Sequence, residues 1–229
     1  MWEQWQDKVK LNLPNFCQSP LYVAQDIPIE EFENIAPIIA EMTVDLGDQT
    51  LGEEYGATVI ETQKMGRVTR MWVDAMCEVN FLHKYLQLDE LHVLDIGAGY
   101  GRLAAYMEGL VNTYTCTDVV PISLFICEYF CMKHAPGVMV RKPEALNWPY
   151  DLAINIHSWS EASLKSVAEW LALLKKHDTE YLFTVPHDNN YNAWGPGGSF
   201  RPLIEADFEL IVERKMGLKD YPHSLWKRK

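Results

Sequence analysis

The sequence lacks the features that mark membrane-spanning and secreted proteins. No stretch approaches the roughly eighteen uninterrupted apolar residues that a membrane-spanning helix requires. The N-terminal sequence MWEQWQDKVK has no basic region followed by a long apolar run, which is the pattern of a secretory signal. We therefore expect a cytoplasmic protein with no membrane partner.

Positive charge is also scarce. The chain has 20 Lys and Arg against 32 Asp and Glu, which gives a net charge of −12 at pH 7. Because proteins bind phosphate backbones mainly through Lys and Arg, we expect no nucleic-acid partner. The chain has 229 residues, of which 48% are hydrophobic, and can bury a sizeable core as one large domain or as one domain with an appendage.

Paired cysteines are missing as well. The five cysteines are odd in number and none stands in a CxxC motif, which argues against a disulfide framework or a zinc knuckle. Free cysteine is among the most buried residue types. We therefore expect reduced, buried thiols at Cys17, Cys77, Cys116, Cys127 and Cys131.

The sequence pattern changes near residue 88. Apolar residues recur at helical spacing over 28–42 and over about 67–86, and no segment before residue 88 is a convincing strand. Between the two predicted helices, residues 45–66 are rich in glycine and acidic residues, which indicates a loop or a short hairpin. We predict that residues 1–88 form an N-terminal helical cap that contributes to substrate binding.

Predicted strands and helices alternate after residue 88. The predicted strands are 91–96, 112–118, 137–141, 151–157, 179–187, 208–216 and 223–229. The predicted helices are about ten residues from Tyr100, then 121–132 and 162–177. Repeated strand–helix units imply an α/β fold over residues 89–229, with a doubly wound, mainly parallel seven-stranded sheet and an antiparallel addition at its C-terminal edge.

Three glycines follow the first predicted strand of this sheet, in VLDIGAGYGRLA (93–104). Ligands bind open α/β sheets at the carboxyl ends of the strands, where Gly97, Gly99 and Gly101 permit positive φ and close backbone approach. A nucleotide-like cofactor is expected there. Arg102 stands where the dinucleotide fingerprint GxGxxG needs its third glycine, which disfavours NAD and FAD, and the absence of a following GKS or GKT excludes a phosphate-binding P-loop.

An acidic residue closes the second predicted strand. Asp118 lies 21 residues after Gly97, close to the separation of about twenty that is typical of a carboxylate binding ribose hydroxyls. An isolated aspartate at a strand end is more commonly a solvated turn residue or a helix cap. Its position relative to the glycine loop instead favours a ribose-bearing cofactor.

Taken together, Asp95, the GxGxG loop and Asp118 resemble motif I and the following acidic motif of class I S-adenosylmethionine (SAM)-dependent methyltransferases. The resemblance covers about residues 91–229 and implies a Rossmann-like domain that binds SAM and releases S-adenosylhomocysteine (SAH). It implies that the Gly97–Gly101 backbone holds the methionine part, that Asp95 lies near its amino group, and that Asp118 takes the ribose. The cofactor-binding residues expected on this basis are Asp95, Gly97, Ala98, Gly99, Tyr100, Gly101, Asp118, Val119, Glu144, Ala145 and Asn155.

A narrower resemblance rests on the same strands. The spacing Tyr114-x-x-x-Asp118 and the series Asn155-x-x-Ser158-x-x-Glu161 are similar to the sugar O-methyltransferases of bacterial polysaccharide and natural-product gene clusters. This resemblance implies methyl transfer to a small-molecule hydroxyl, on a sugar or a sugar-containing metabolite.

A hydroxyl acceptor must lose a proton, and histidine titrates in a suitable range for that task. His157 ends the fourth predicted strand and His187 the fifth, so we predict His157 as the base and His187 as the second choice. Either histidine is otherwise a structural residue at a strand end. Glu161 either orients His157, binds a substrate hydroxyl, or simply lies in the first turn of the following helix, where its negative charge interacts favourably with the helix dipole. Asn155 either contacts the cofactor or bonds within the scaffold.

A long loop follows the fifth predicted strand, at 187–202, and such loops commonly bind or cover something. Tyr191, Trp194 and Arg201 are predicted to contact the acceptor, with the aromatic residues either stacking on it or packing the loop shut. Glycines at 195, 197 and 198 would let the loop move. The segment 53–57, with Arg67 and Arg70, is expected to cap the same cleft.

Other interpretations remain open from the sequence. Residues 187–190 offer ligands for a magnesium ion but are equally ordinary turn residues, and we predict no metal. A nicotinamide-dependent oxidoreductase and an inactive SAM-binding partner module are the alternative functions. Trp2, Trp5 and Trp226 indicate either terminal packing or a homodimer.

Overall fold

The computed structural model describes residues 16–17, 27–194 and 198–229. The predictions for Trp2, Trp5, Gly195 and Gly197 lie outside these residues. Within them, no helix is both long enough and apolar enough to cross a membrane. The chain forms two units, the first ending at Asn80 and the second running from Phe81 to Lys229.

The first unit contains a β-hairpin, although the sequence analysis found no convincing strand in this part of the chain. Its helices and strands are α1 (Ile29–Ala40), a 3-10 helix (Glu53–Tyr55), β1 (Val59–Thr62), β2 (Gly66–Thr69) and the larger part of α2 (Arg70–Tyr85). Strands β1 and β2 pair antiparallel, so a short hairpin is correct for this region, whereas the expectation that no strand precedes residue 88 is wrong.

The turn of this hairpin explains why the second predicted helix starts late. The Thr62 hydroxyl donates to the Gly66 carbonyl at 3.0 Å and accepts from the Met65 N–H at 2.9 Å. Gly66 has φ 73°, which side chains other than glycine rarely adopt. Residues 67–69 therefore belong to β2, and α2 begins at Arg70.

The second unit is built on one seven-stranded sheet. Its strands are β3 (His92–Ile96), β4 (Thr113–Thr117), β5 (Met139–Arg141), β6 (Leu152–Ile156), β7 (Tyr181–Val185), β8 (Phe208–Met216) and β9 (Tyr221–Arg228). Its helices are α3 (Ala104–Met107), α4 (Pro121–His134), α5 (Leu164–Lys176) and α6 (Arg201–Asp207). Short 3-10 helices span Leu88–Glu90, Pro143–Ala145 and Ser158–Glu161.

The strand order is β5-β4-β3-β6-β7-β9-β8. Strands β3 to β7 are parallel, whereas β9 is antiparallel to both β7 and β8, so the predicted mainly parallel sheet with an antiparallel addition is confirmed. The chain builds one half of the sheet from β3 to β5 and then crosses back to place β6 on the other side of β3. This reversal puts the ligand-binding switch point at the carboxyl ends of β3 and β6.

The helix predicted from Tyr100 is much shorter than the expected ten residues. Residues 97–103 lie in turns, and α3 covers only Ala104–Met107. Gly101 has φ 86° and Gly109 has φ 80°, and these left-handed conformations delimit the helix on both sides.

Two predictions about buried residues have different outcomes. The five cysteines form no disulfide within the described residues, and the prediction that they are buried is confirmed for four of them and wrong for Cys17, which is partly exposed. Trp226 is not a surface residue, because it is 0% exposed and its indole N–H donates to the Thr184 hydroxyl at 3.0 Å. It packs in the core beside Leu182 and Phe208 and cannot serve a dimer contact.

Candidate functional site

The glycine turn after β3 leaves no room for a side chain at Gly97 or at Gly101. Gly97, Gly99 and Gly101 have φ values of 75°, 61° and 86°. A Cβ atom at Gly97 would lie 2.1 Å from the Ser158 hydroxyl oxygen, and one at Gly101 would lie 2.7 Å from the Cys131 sulfur. Two of these positions therefore require glycine for steric reasons as well as conformational ones.

The end of β4 holds this turn in place. The backbone N–H groups of Gly97 and Ala98 donate to the Thr117 carbonyl at 2.8 and 3.1 Å. The Asp118 carboxylate accepts from the Gly99 N–H at 3.2 Å and from the Val120 N–H at 2.8 Å, one bond on each oxygen. Each carboxylate oxygen keeps a further lone pair, so Asp118 can still accept bonds from a ligand.

Burial changes the acidity of Asp118. Desolvation disfavours its charged form and raises its pKa to about 6, against the opposing effect of the backbone N–H donors. The carboxylate is therefore largely ionised at neutral pH and becomes protonated under mildly acidic conditions.

Asp95 is buried within β3, one residue before the strand ends. It is 4% exposed, and the Tyr114 hydroxyl on β4 donates to its Oδ2 atom at 2.9 Å. This bond gives a physical reason for the spacing Tyr114-x-x-x-Asp118, since Tyr114 on β4 holds Asp95 in place and the same strand leads directly into Asp118.

The amide of Asn155 joins β6 to the carboxyl end of β3. Its Nδ2 atom donates to the Ile96 carbonyl at 2.8 Å and to the Ser158 hydroxyl at 2.5 Å, and its Oδ1 atom accepts from the Trp159 N–H at 3.2 Å. Ser158 in turn donates to the Ile96 carbonyl at 3.1 Å. Of the two roles considered for Asn155, these bonds favour the scaffold role, because a cofactor would compete with all of them.

Of the remaining predicted cofactor residues, Tyr100 lies in the turn after β3, and Val119, Glu144 and Ala145 follow β4 and β5. Val119 follows Asp118 and is 68% exposed, although it is apolar. Glu144 and Ala145 are exposed on the 3-10 helix that follows β5. Tyr100 packs edge-to-face on Phe130 with ring centroids 5.5 Å apart.

The two candidate histidines meet at the ends of β6 and β7. Their ring centroids lie 4.6 Å apart, and Tyr221 packs edge-to-face on His157 at 4.8 Å. His157 has φ 64°, a left-handed conformation that is costly for a residue other than glycine and that often marks a functional site. Ser160 fixes the backbone of His187, whose N–H donates to its hydroxyl at 3.0 Å.

Glu161 lies beside His187. The Oε1 atom of Glu161 is 4.0 Å from Nε2 of His187, and both side chains are exposed. Burial and the negative charge of Asp118 both raise the pKa of Glu161. The structure thus brings Asp118, Glu161 and His187 to the same edge of the sheet.

Two residues of the loop after β7 that were predicted to contact the substrate, Tyr191 and Arg201, bind other side chains of the protein instead. Tyr191 is 0% exposed, and its hydroxyl bonds to the Glu213 carboxylate at 2.8 Å and to Ser224. Arg201 pairs with Glu205 and Glu213 at 2.9 and 3.0 Å. These placements favour packing of the loop over contact with an acceptor.

Trp194 is the exception in this loop, because 61% of its surface is exposed. Its backbone N–H donates to the Ala162 carbonyl at 3.0 Å, which anchors the loop beside the 3-10 helix Ser158–Glu161. Asp188 accepts from the backbone N–H groups of Asn190 and Asn192, at 2.8 and 3.3 Å, as in an ordinary turn.

Tyr221 is the site residue that sequence analysis missed. It begins β9, more than sixty positions after His157, and only the antiparallel pairing of β9 with β7 brings the two rings together. No local pattern around Tyr221 indicates this contact.

The sequence matches no family model and no curated protein. Solved structures do match. Magnesium protoporphyrin IX methyltransferase (ChlM) from Synechocystis PCC 6803, with bound SAM, is 16% identical, with a TM-score of 0.54 over 70% of this chain and 79% of that chain. The fold is that of the SAM-dependent methyltransferases.

Two further structures have this fold. A SAM-dependent methyltransferase from Aquifex aeolicus is 16% identical, with a TM-score of 0.50 over 66% of this chain and 88% of that one. The B. subtilis M1A22 tRNA methyltransferase TrmK is 14% identical, with a TM-score of 0.51 over 66% of this chain and 65% of that one. At these identities the likeness is one of fold.

Proposed function

We propose that this protein is a SAM-dependent methyltransferase that acts on a hydroxyl group of a small molecule, namely a sugar or a sugar-containing metabolite. The observation that carries the proposal is the arrangement at one edge of the sheet, where the glycine turn, which has no room for a side chain at Gly97 or Gly101, is hydrogen-bonded to the Asp118 carboxylate. A pair of histidines ends the two neighbouring strands.

The cofactor part of the proposal rests on the chemistry of these groups. The Asp118 carboxylate is suited to accept hydrogen bonds from ribose hydroxyls, and the backbone of Gly97–Gly101 lets a chain such as the methionine moiety approach closely. The exposed apolar surface of Val119 is suited to a flat adenine ring, with Glu144 and Ala145 nearby in the adjacent strand connection. SAM would supply an electrophilic methyl group.

For the base, the geometry favours His187 over the first choice, His157. Glu161 lies beside His187, where a carboxylate stabilises the imidazolium that forms when the ring takes a proton. His187 is exposed, whereas His157 is only partly exposed and packs against Tyr221. We therefore assign proton removal to His187 and the positioning of its ring to His157.

The net charge of −12 supports a small acceptor over a nucleic acid. The solved structures of this fold nevertheless include a porphyrin methyltransferase and a tRNA methyltransferase. The acceptor class therefore needs a direct test.

The test is transfer of a labelled methyl group from SAM to separate pools of free and nucleotide-linked sugars, bulk tRNA and total protein. Label in a sugar pool that alkali does not release, as expected of an ether and not of an ester, is the predicted result. Label only in tRNA or in protein would contradict the proposed acceptor class while leaving methyl transfer intact.

A further inference from the structure

Three of the cysteines form a buried cluster beneath the glycine turn. Cys116 lies on β4, and Cys127 and Cys131 lie one turn apart on α4. All three sulfur atoms lie within 4.8 Å of one another, and those of Cys127 and Cys131 are 3.9 Å apart. The three residues are at most 2% exposed.

This spacing suits a metal ion bound by three thiolates. Metal–sulfur bonds are about 2.3 Å long, so three sulfurs in a plane around one ion would be about 4.0 Å apart. The observed separations need shifts of less than 1 Å to reach that geometry. The helical spacing of Cys127 and Cys131 already sets one edge of the triangle.

The number of ligands distinguishes between metals. Among the described residues, no fourth His, Cys, Asp or Glu ligand atom lies within 4.8 Å of all three sulfurs. Structural zinc is almost always four-coordinate, whereas soft thiolate ligands also select monovalent copper, which accepts three. We propose that Cys116, Cys127 and Cys131 form a three-coordinate site for a soft monovalent cation, with Cu⁺ as the ion bound.

Binding involves no change of oxidation state. Three S–H bonds break, three Cu–S bonds form, and the protons leave to solvent. The ion would join α4 to β4 directly beneath the turn, because a Cβ atom at Gly101 would lie only 2.7 Å from the Cys131 sulfur and 3.1 Å from that of Cys127. Occupancy should therefore stabilise the folded protein.

The experiment is an anaerobic titration of the reduced protein with Cu⁺ buffered by the chromophoric chelator bathocuproine disulfonate. We expect uptake of one Cu⁺ per chain and a rise in the melting temperature. Separate C116A, C127A and C131A variants should lose on the order of 100-fold in affinity or more, since loss of even an outer-shell partner of a metal ligand costs 10- to 100-fold.

The matched control is C77A, which removes a buried cysteine outside the cluster and should keep full affinity. Circular dichroism of each metal-free variant identifies those that fold, and any one folded cluster variant decides the test. Undiminished uptake in such a variant, or no uptake by folded wild type, would overturn the proposal. Tighter binding of Zn²⁺ than of Cu⁺, or a disulfide formed with diamide in a protein that takes up no Cu⁺, would also overturn it.

Discussion

Gly97 has two separate reasons to be glycine, and they can be measured apart. Its φ of 75° is strained for any other residue, and a Cβ atom would displace Ser158. We predict that G97A weakens SAH binding by more than about tenfold, or about 1.4 kcal/mol, because a displaced Ser158 loses its bond to the Ile96 carbonyl and disturbs the end of β3 beside the glycine turn. Isothermal titration calorimetry measures the loss.

Gly109 supplies the matched control for this change. It has φ 80°, but nothing lies within 4 Å of a Cβ atom placed there. The G109A variant should therefore lose about 1–2 kcal/mol of unfolding free energy from backbone strain alone, and keep wild-type affinity for SAH. Equal SAH affinity in G97A and G109A would show that the contact with Ser158 does not matter.

The raised pKa of Asp118 makes a prediction about pH. Only the ionised carboxylate accepts bonds from both ribose hydroxyls, and its pKa is about 6. SAH affinity should be constant well above pH 6, fall as the pH drops through 6, and be roughly tenfold weaker at pH 5 than at pH 7.5.

The D118N variant separates this effect from other titrating groups. It should bind SAH weakly at every pH between 5 and 7.5, because the amide cannot ionise. A pH dependence in D118N as steep as in the wild type would assign the titration to another residue, such as one of the histidines.

His187 gives a prediction about turnover. If it removes the acceptor proton, H187Q should lower kcat by roughly 10²- to 10⁴-fold, the usual contribution of a general base. SAH affinity should stay close to that of the wild type. H157Q, which changes a positioning residue, should lose less, and a larger loss in H157Q than in H187Q would restore His157 as the base.

At the scale of helices and strands, regular patterns were predicted well. Strand β8 covers the predicted 208–216, and α4 begins at the predicted Pro121. Errors occur where glycines and turns override the local pattern, as in the short α3 and in β2, which replaces the start of a predicted helix. Hydrophobic periodicity indicates which face of an element is buried, but it does not predict the positive φ angles of Gly101 and Gly109.

The candidate site was predictable only where its residues are close in sequence. The glycine turn and Asp118 each come directly after a predicted strand. Because the carboxyl ends of neighbouring parallel strands lie at one edge of the sheet, their proximity could be predicted. Tyr221 and the three-cysteine cluster depend on pairings between distant segments, for which this sequence carries no local signal. The internal bonds of Tyr191 likewise need the register of β8 and β9.

Tyr191 ties the loop after β7 to the β8–β9 pair, which leads to a stability prediction. Its hydroxyl is buried and bonds to Glu213 and Ser224, and burial together with the Glu213 charge raises its pKa, so it remains a neutral donor. We expect Y191F to lower the unfolding free energy by about 1–3 kcal/mol, measured by urea denaturation. Y85F, which removes the hydroxyl of a half-buried tyrosine at the end of α2, should lose less unfolding free energy than Y191F. Equal losses in the two variants would contradict the role given to Tyr191.

At the scale of the whole molecule, the second unit carries every residue assigned to the cofactor. The sheet from β5 to β7 is parallel, so the glycine turn after β3 and Asp118 after β4 lie at the same edge as His187, the proposed base after β7. The net charge of −12 belongs to the whole chain and disfavours a polyanionic partner in general terms. A small acceptor, as proposed above, agrees with that charge.

Calorimetric titration of the wild type with SAH, and separately with NAD, tests the central claim most directly. The same titrations on D118A and on D89A, which changes an exposed aspartate before β3, separate the proposed ribose contact from a general loss of charge. We predict micromolar binding of SAH but not of NAD, lost in D118A and kept in D89A. Binding of NAD in place of SAH, or equal SAH binding by both variants, would contradict the account.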